Sequence, residues 1–156
     1  MIVKRKGDVL TSSANIIAHQ VNCRGVMGAG LAKQIKSKYP KVFAEYKLLC
    51  NRCEENGNSK LLLGVVQFVE SNSKIFANCF AQLNYNARIK QTQEEHFKEC
   101  MITLEKHARE ENLNSVAIPY KMGCGLAGGD WDNEIYPIIE TVFKDSPVIL
   151  EIWEFI

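Results

Sequence analysis

The chain predicts a three-layer α/β fold with a mixed central sheet, built as one domain over residues 1–156. Three observations predict it. Strand-like and helix-like segments alternate at both ends of the chain. A hairpin-like pair of strands interrupts that alternation in the middle. Two glycine-rich turns each follow an apolar strand and precede a helix. Alternation of strand and helix builds a parallel sheet covered on both faces, and a hairpin adds an antiparallel pair to it. A length of 156 residues is enough for one domain with a real core.

The elements follow in order. Ile2 to Arg5 reads as a short strand, followed by "KGD" and the turn-rich "LTSSAN". Ile16 to Val21 is apolar and β-branched, the pattern of a buried strand, and runs into a first glycine loop. A helix follows over Ala29 to Lys38 and is stopped by Pro40. Val42, Tyr46, Leu49 and Cys53 recur at helical spacing, giving a second helix over Val42 to Glu55. After the turn "ENGNSK", strands at Val65 to Val69 and Ile75 to Phe80 are joined by "SNS", which suits a hairpin. The segment "AQLNYNARIKQ" is polar and without period, the character of a loop on a functional rim. Phe97, Met101, Leu104 and Ala108 form the stripe of a helix over Thr92 to Glu111. Ser115 to Ile118 is a strand ended by Pro119, and it feeds the second glycine loop. Trp131, Ile135, Ile138 and Val142 mark a last helix, with Pro137 in its first turn or at a kink. A strand over Pro147 to Phe155 closes the chain.

Composition narrows the function classes. Nineteen basic and 18 acidic residues leave a formal charge of +1, which offers no overall footprint for a nucleic-acid backbone. No apolar run reaches the length of a membrane span, and "MIVKRK" passes directly into strand-like sequence, so the expectation is a cytosolic protein without a leader and without membrane partners. Six cysteines in that setting read as free thiols. "CNRC" at Cys50 to Cys53 lacks a second pair at zinc-site distance, so no metal and no other cofactor is expected. The expected state is a monomer.

The glycines carry the chemistry. "GVMGAG" (Gly25 to Gly30) and "MGCGLAGG" (Met122 to Gly129) hold seven of the chain's ten glycines. Turns of this kind lie at the carboxyl ends of strands, where ligands bind to open α/β sheets. A helix N-terminus there presents free N–H groups and a partial positive charge to an anion. Glycines such as Gly28, Gly30, Gly123 and Gly125 let phosphate oxygens approach the backbone. Two such loops on one sheet edge suit a diphosphate, while two tight turns without a ligand remain the alternative. Asp8, just after the first strand, can accept a bond from an adenine amine or serve as a turn aspartate. Asn22, ending the second strand, can bond ribose hydroxyls or cap the turn.

Taken together, "VKRKGDVL", "IIAHQVNCRGVMGAGLAKQIKSKYP" and "AIPYKMGCGLAGGDW" resemble the macrodomain family, which binds ADP-ribose. The likeness is strongest to the branch containing terminal and DNA ADP-ribose glycohydrolases and the yeast-type ADP-ribose 1″-phosphate phosphatase. It implies a macrodomain fold and a set of ligand contacts. Asp8 would bind the adenine amine, and Asn22 would face the distal ribose. Gly25, Val26, Met27 and Gly28 would wrap the distal ribose and phosphate. Gly123, Cys124, Gly125, Leu126 and Ala127 would cradle the diphosphate.

The departures bear on chemistry. The glycohydrolases of that branch use a lysine near the end of a central strand and an aspartate after "GCGL". Here "IFANCFAQLNYN" contains no lysine before Lys90, and Ala127 follows "GCGL". His19 matches the histidine of the yeast-type phosphatase, as a general base or an orienter of water, or else as a core histidine satisfied by hydrogen bonds. Asp130 is a second candidate acid or base, or an N-cap of the Trp131 helix. Asn84, Tyr85 and Asn86 would touch the distal ribose or be solvated. The leading expectation is therefore an ADP-ribose 1″-phosphate phosphatase. The alternatives are a non-catalytic binder of ADP-ribose or a signalling nucleotide, and a glycohydrolase acting on an ADP-ribosylated protein or DNA through another constellation.

Overall fold

The computed structural model describes residues 1–86 and 88–156; Ala87, within the polar rim segment, lies outside them. The elements run β1 (Ile2–Lys6), β2 (Ile16–Asn22), α1 (Gly30–Lys38), α2 (Pro40–Glu55), β3 (Val66–Ser71), β4 (Lys74–Gln82), α3 (Glu94–Glu110), β5 (Ser115–Pro119), α4 (Tyr136–Phe143) and β6 (Ile149–Glu154). Short helical turns at Val9–Thr11, Ser59–Leu62 and Trp131–Ile135 supplement them.

The strands form one sheet in the order β1-β6-β5-β2-β4-β3. All neighbours are parallel except β3 and β4. The mixed sheet thus has the expected cause, a hairpin attached to an otherwise parallel sheet. Its turn places Asn72 and Ser73 at φ 51° and 65°, the left-handed pair that matches the twist of flanking strands.

Side-chain alternation along β2 divides the core into two layers. Ile16 and Ala18 face Phe97, Met101 and Leu104 of α3 and Ile139 and Phe143 of α4. Ile17 packs with Ile35 of α1 and Val42 of α2, and Val21 with Tyr46 and Cys50 of α2. Pro40 sits in the first turn of α2, where a missing N–H costs no intrahelical bond, and Pro137 stands where the helical segment Trp131–Ile135 passes directly into α4. Helix α3 begins two residues later than the apolar stripe suggests. Thr92 instead bridges to Gln82 and gives its hydroxyl proton to Gly123 O. No described helix is long and apolar enough to cross a membrane.

Candidate functional site

Strands β2 and β5 are hydrogen-bonded neighbours only at Ile16–Val116 and Ile17–Ala117, and diverge beyond them toward their carboxyl ends. A cavity of about 460 Å³ opens at that end, within the range of small-molecule sites. Gly28 and Gly30 of the first glycine loop and Gly123 and Gly125 of the second both wall it. The two loops, almost a hundred residues apart in sequence, therefore face one space. Among the described residues lining it, Lys121 carries the one permanently charged side chain, and no carboxylate is present.

The first loop delivers a bare helix N-terminus. Ala29 caps α1 without a side-chain bond, and no acidic residue occupies the first turn. The amides of Gly30, Leu31 and Ala32 precede the first helical donor, since the Lys33 amide is the one that reaches back to Ala29 O. The loop is held from below. Asn22 Nδ2 donates to Val26 O at 2.8 Å, while Asn22 Oδ1 accepts from Arg24 N at 2.9 Å. The Tyr46 hydroxyl donates toward Asn22, with its backbone O at 2.7 Å and its Oδ1 at 2.9 Å. Burial pushes the Tyr46 phenol far above its usual value, which keeps that proton in place. Arg24 Nε also donates to Asn84 Oδ1 at 2.6 Å, tying the loop to the rim segment. Asn22 and Val26 line the cavity, whereas Gly25 packs against Lys47 and Cys50, and Met27 is buried in the core.

The second loop is a cradle of amides. Cys124 N donates to Lys121 O, Gly128 N to Gly125 O and Gly129 N to Gly123 O, closing the turn on itself. Among the described residues, the N–H groups of Gly125, Leu126 and Ala127 find no acceptor, and all three residues wall the cavity. Both ends of the turn are clamped by the segment before α3. Gln91 N and Thr92 N donate to Ala127 O at 2.7 and 3.1 Å, and Thr92 Oγ1 donates to Gly123 O at 2.6 Å. Gln20 Nε2 in turn donates to Thr92 Oγ1 and to Gln82 Oε1, each at 2.8 Å. Lys121 holds a left-handed φ of 59°, a conformation disfavoured for a side chain and often found at sites of function.

The predicted residues divide accordingly. His19, Asn22, Val26, Gly28, Gly123, Gly125, Leu126 and Ala127 all lie on the cavity wall. Cys124 does not: its thiol turns inward to Met122 O, and burial pushes its pKa up to about 11. Asp130 is the N-cap of the helical segment that starts at Trp131, accepting from Asn133 N at 3.2 Å and Asn133 Nδ2 at 2.9 Å. Those bonds lower its pKa. It is exposed and off the wall, and it fills the helix N-terminus behind the second loop, the capping role that the sequence set beside a catalytic one. Asp8 stands at the same carboxyl edge of the sheet but outside the cavity, with Oδ1 accepting from Leu10 N at 2.9 Å.

His19 is buried, with Nε2 2.6 Å from Asn78 Oδ1. Burial lowers its pKa to about 4, the Asn78 bond opposing that fall, so the ring is neutral at pH 7. Tyr85 of the rim segment lines the cavity, Asn84 binds Arg24, and Asn86 Oδ1 accepts from Arg88 N. Lys90 is turned outward to Glu94 and Glu134. The sequence reading missed Gln20, Gln82 and Tyr120, and named Lys121 only as a possible replacement for the glycohydrolase lysine. A signal existed for Tyr120, which follows directly on the end of β5.

Comparisons with known proteins bear on the family and the fold. The Macro domain family model matches residues 18–135. The DNA ADP-ribosyl glycohydrolase of Mycobacterium tuberculosis is 32% identical over 147 residues, covering 94% of this chain and 40% of that protein. The chain thus spans about two fifths of that relative's length. The ADP-ribose 1″-phosphate phosphatase of Meyerozyma guilliermondii is 26% identical over 175 residues, with 95% of each protein covered. Among solved structures, the macrodomain of Mycobacterium tuberculosis DarG superimposes with a TM-score of 0.84 at 28% identity, covering 98% of this chain and 97% of that one. This chain belongs to the Macro domain family.

Proposed function

We propose that this macrodomain binds ADP-ribose in the β2–β5 cavity and hydrolyses the phosphate from ADP-ribose 1″-phosphate. The observation that carries the binding half is the convergence of amides from both glycine loops on one wall, where among the described residues those amides have no acceptor and no carboxylate is present. The diphosphate would lie between the α1 N-terminus and the amides of residues 125–127, with Lys121 beside it. Relatives named for acting on ADP-ribose compounds support the same ligand.

The wall chemistry suits phosphoryl transfer. Its loose transition state spreads charge over the equatorial oxygens, so catalysis rests on positioning and electrostatic stabilisation more than on a strong base. A water oxygen attacks phosphorus, the bond from phosphorus to the ribose oxygen breaks, and one water proton ends on that departing oxygen. His19, neutral at pH 7, would orient the water by accepting a hydrogen bond. The outward ion pairs of Lys90 and the presence of Ala127 after "GCGL" leave the lysine–aspartate route to glycosidic cleavage without its two partners.

Calorimetric titration with ADP-ribose, followed by a phosphate-release assay on its 1″-phosphate, tests both halves. His19→Ala is expected to lower phosphate release by about tenfold or more, the worth of one transition-state hydrogen bond, while ADP-ribose still binds with affinity weakened by no more than about tenfold. Asp130→Ala is expected to change neither. Binding without phosphate release would leave a non-catalytic reader, a reading favoured by a wall that, among the described residues, carries no carboxylate to protonate the leaving oxygen. Loss of label from ADP-ribosylated DNA or from glutamate-modified protein would instead favour a glycohydrolase.

A further inference from the structure

One row of side chains crosses three strands beneath α2. His19 of β2 is the register partner of Asn78 of β4, and Asn78 is the register partner of Gln67 of β3. His19 Nε2 lies 2.6 Å from Asn78 Oδ1, and Asn78 Nδ2 donates to Gln67 Oε1 at 3.0 Å. At the outer end Gln67 Nε2 donates to the backbone carbonyl of Glu45 at 3.1 Å.

That last acceptor sets the polarity of the whole row. A carbonyl oxygen cannot donate, so Gln67 must turn its NH₂ toward Glu45 and its oxygen toward Asn78. Asn78 must then present its NH₂ to Gln67 and its oxygen to His19. The imidazole nitrogen facing that oxygen must carry the proton. We infer that the row locks His19 in the Nε2–H tautomer, making Asn78 and Gln67 positioning residues that keep Nδ1 as a permanent hydrogen-bond acceptor on a residue of the cavity wall.

Two further observations agree. Nδ1 is buried and, among the described residues, has no partner, a condition that calls for a functional or solvent explanation. His19 itself lines the cavity. A neutral lone pair there accepts from an O–H group and repels an anionic oxygen. The lock therefore favours a ribose hydroxyl or a water at this point of the wall over a phosphate oxygen. This consequence rests on the proposed ADP-ribose reading; the tautomer itself does not.

The test is a long-range ¹H–¹⁵N spectrum of the full chain with labelled histidine at pH 7.5, with His19 identified by the signal lost in His19→Gln. The wild-type spectrum is expected to show the proton on Nε2 alone. Gln67→Glu still accepts from Asn78 and is expected to keep that pattern. Gln67→Lys only donates, so it is expected to turn Asn78 around, move the proton to Nδ1 and weaken ADP-ribose binding about tenfold. Should that variant not fold, Gln67→Met leaves the row without polarity and is expected to show mixed tautomers.

A wild-type proton on Nδ1 would overturn the lock, as would Nε2–H retained alone in the Lys or Met variant. An inverted tautomer with unchanged affinity would remove the positioning role. A wild-type protein with the expected tautomer and no affinity for ADP-ribose would overturn the proposed function and leave the lock standing.

Discussion

Gly125→Val is expected to abolish ADP-ribose binding while the protein stays folded. A Cβ built at Gly125 meets nothing within 4 Å, and the residue does not hold a left-handed φ. The fold therefore tolerates a side chain there. The space that the isopropyl group would enter is the cavity itself, since Gly125 lies on its wall. A β-branched group on this turn blocks approach to its own amide and the next. Loss of two charge-assisted hydrogen bonds to the diphosphate removes roughly 3 kcal/mol or more, over a hundredfold in Kd. Calorimetry with ADP-ribose and a urea denaturation curve check the two halves. Unchanged affinity in the folded variant would move the diphosphate off the second loop. Gly123 would not serve this purpose: its φ is 74°, and a Cβ there would stand 2.5 Å from Gln20 Oε1, so failure to bind could reflect a distorted turn.

The contrast between these two glycines shows where the sequence could be read and where it could not. Strands and helices were legible because burial is periodic: Ile16, Ala18 and Val21 alternate between layers, and Phe97, Met101, Leu104 and Ala108 follow a helical stripe. The two loops were legible as glycine clusters after apolar strands. Within each loop, however, direction is set by turn geometry with no repeating period. Gly25, Met27 and Cys124 face the protein and Gly28 and Gly125 face the cavity for reasons that spacing does not encode.

Asp130 illustrates a second limit. An aspartate before a helix looks alike whether it caps or catalyses, and only the bonds from Asn133 separate the two roles. The polar networks mark a third. Gln20 meets Gln82 and Thr92 across 62 and 72 residues of sequence, and His19 meets Asn78 across 59. Contacts at such separations follow from strand order, and a hairpin placed beside β2 is what creates them. The short helical turns at Val9–Thr11 and Ser59–Leu62 are too brief to show a period at all.

The second large effect is expected at Asn22. The resemblance to macrodomains places this residue against the distal ribose, but its side chain is already engaged by the protein. Its Nδ2 holds Val26 O, and its Oδ1 accepts from Arg24 N and lies within reach of the Tyr46 hydroxyl. The side chain therefore shapes the loop that carries the α1 N-terminus to the cavity. Asn22→Ala removes these bonds in a buried setting. At about 1 kcal/mol for each net bond, the expected loss of stability is roughly 2–3 kcal/mol. Tyr46 keeps its bond to the Asn22 backbone oxygen, so the phenol is not orphaned and the fold survives. ADP-ribose affinity is expected to fall with stability, because the loop loses the shape that presents its amides. Tyr46→Phe provides the control, since it loosens the same loop from outside the cavity: a smaller loss of both quantities is expected. If Asn22→Ala instead left the urea midpoint unchanged and removed binding alone, the side chain would be acting on the ligand directly, and its role as the scaffold of the first loop would have to be abandoned.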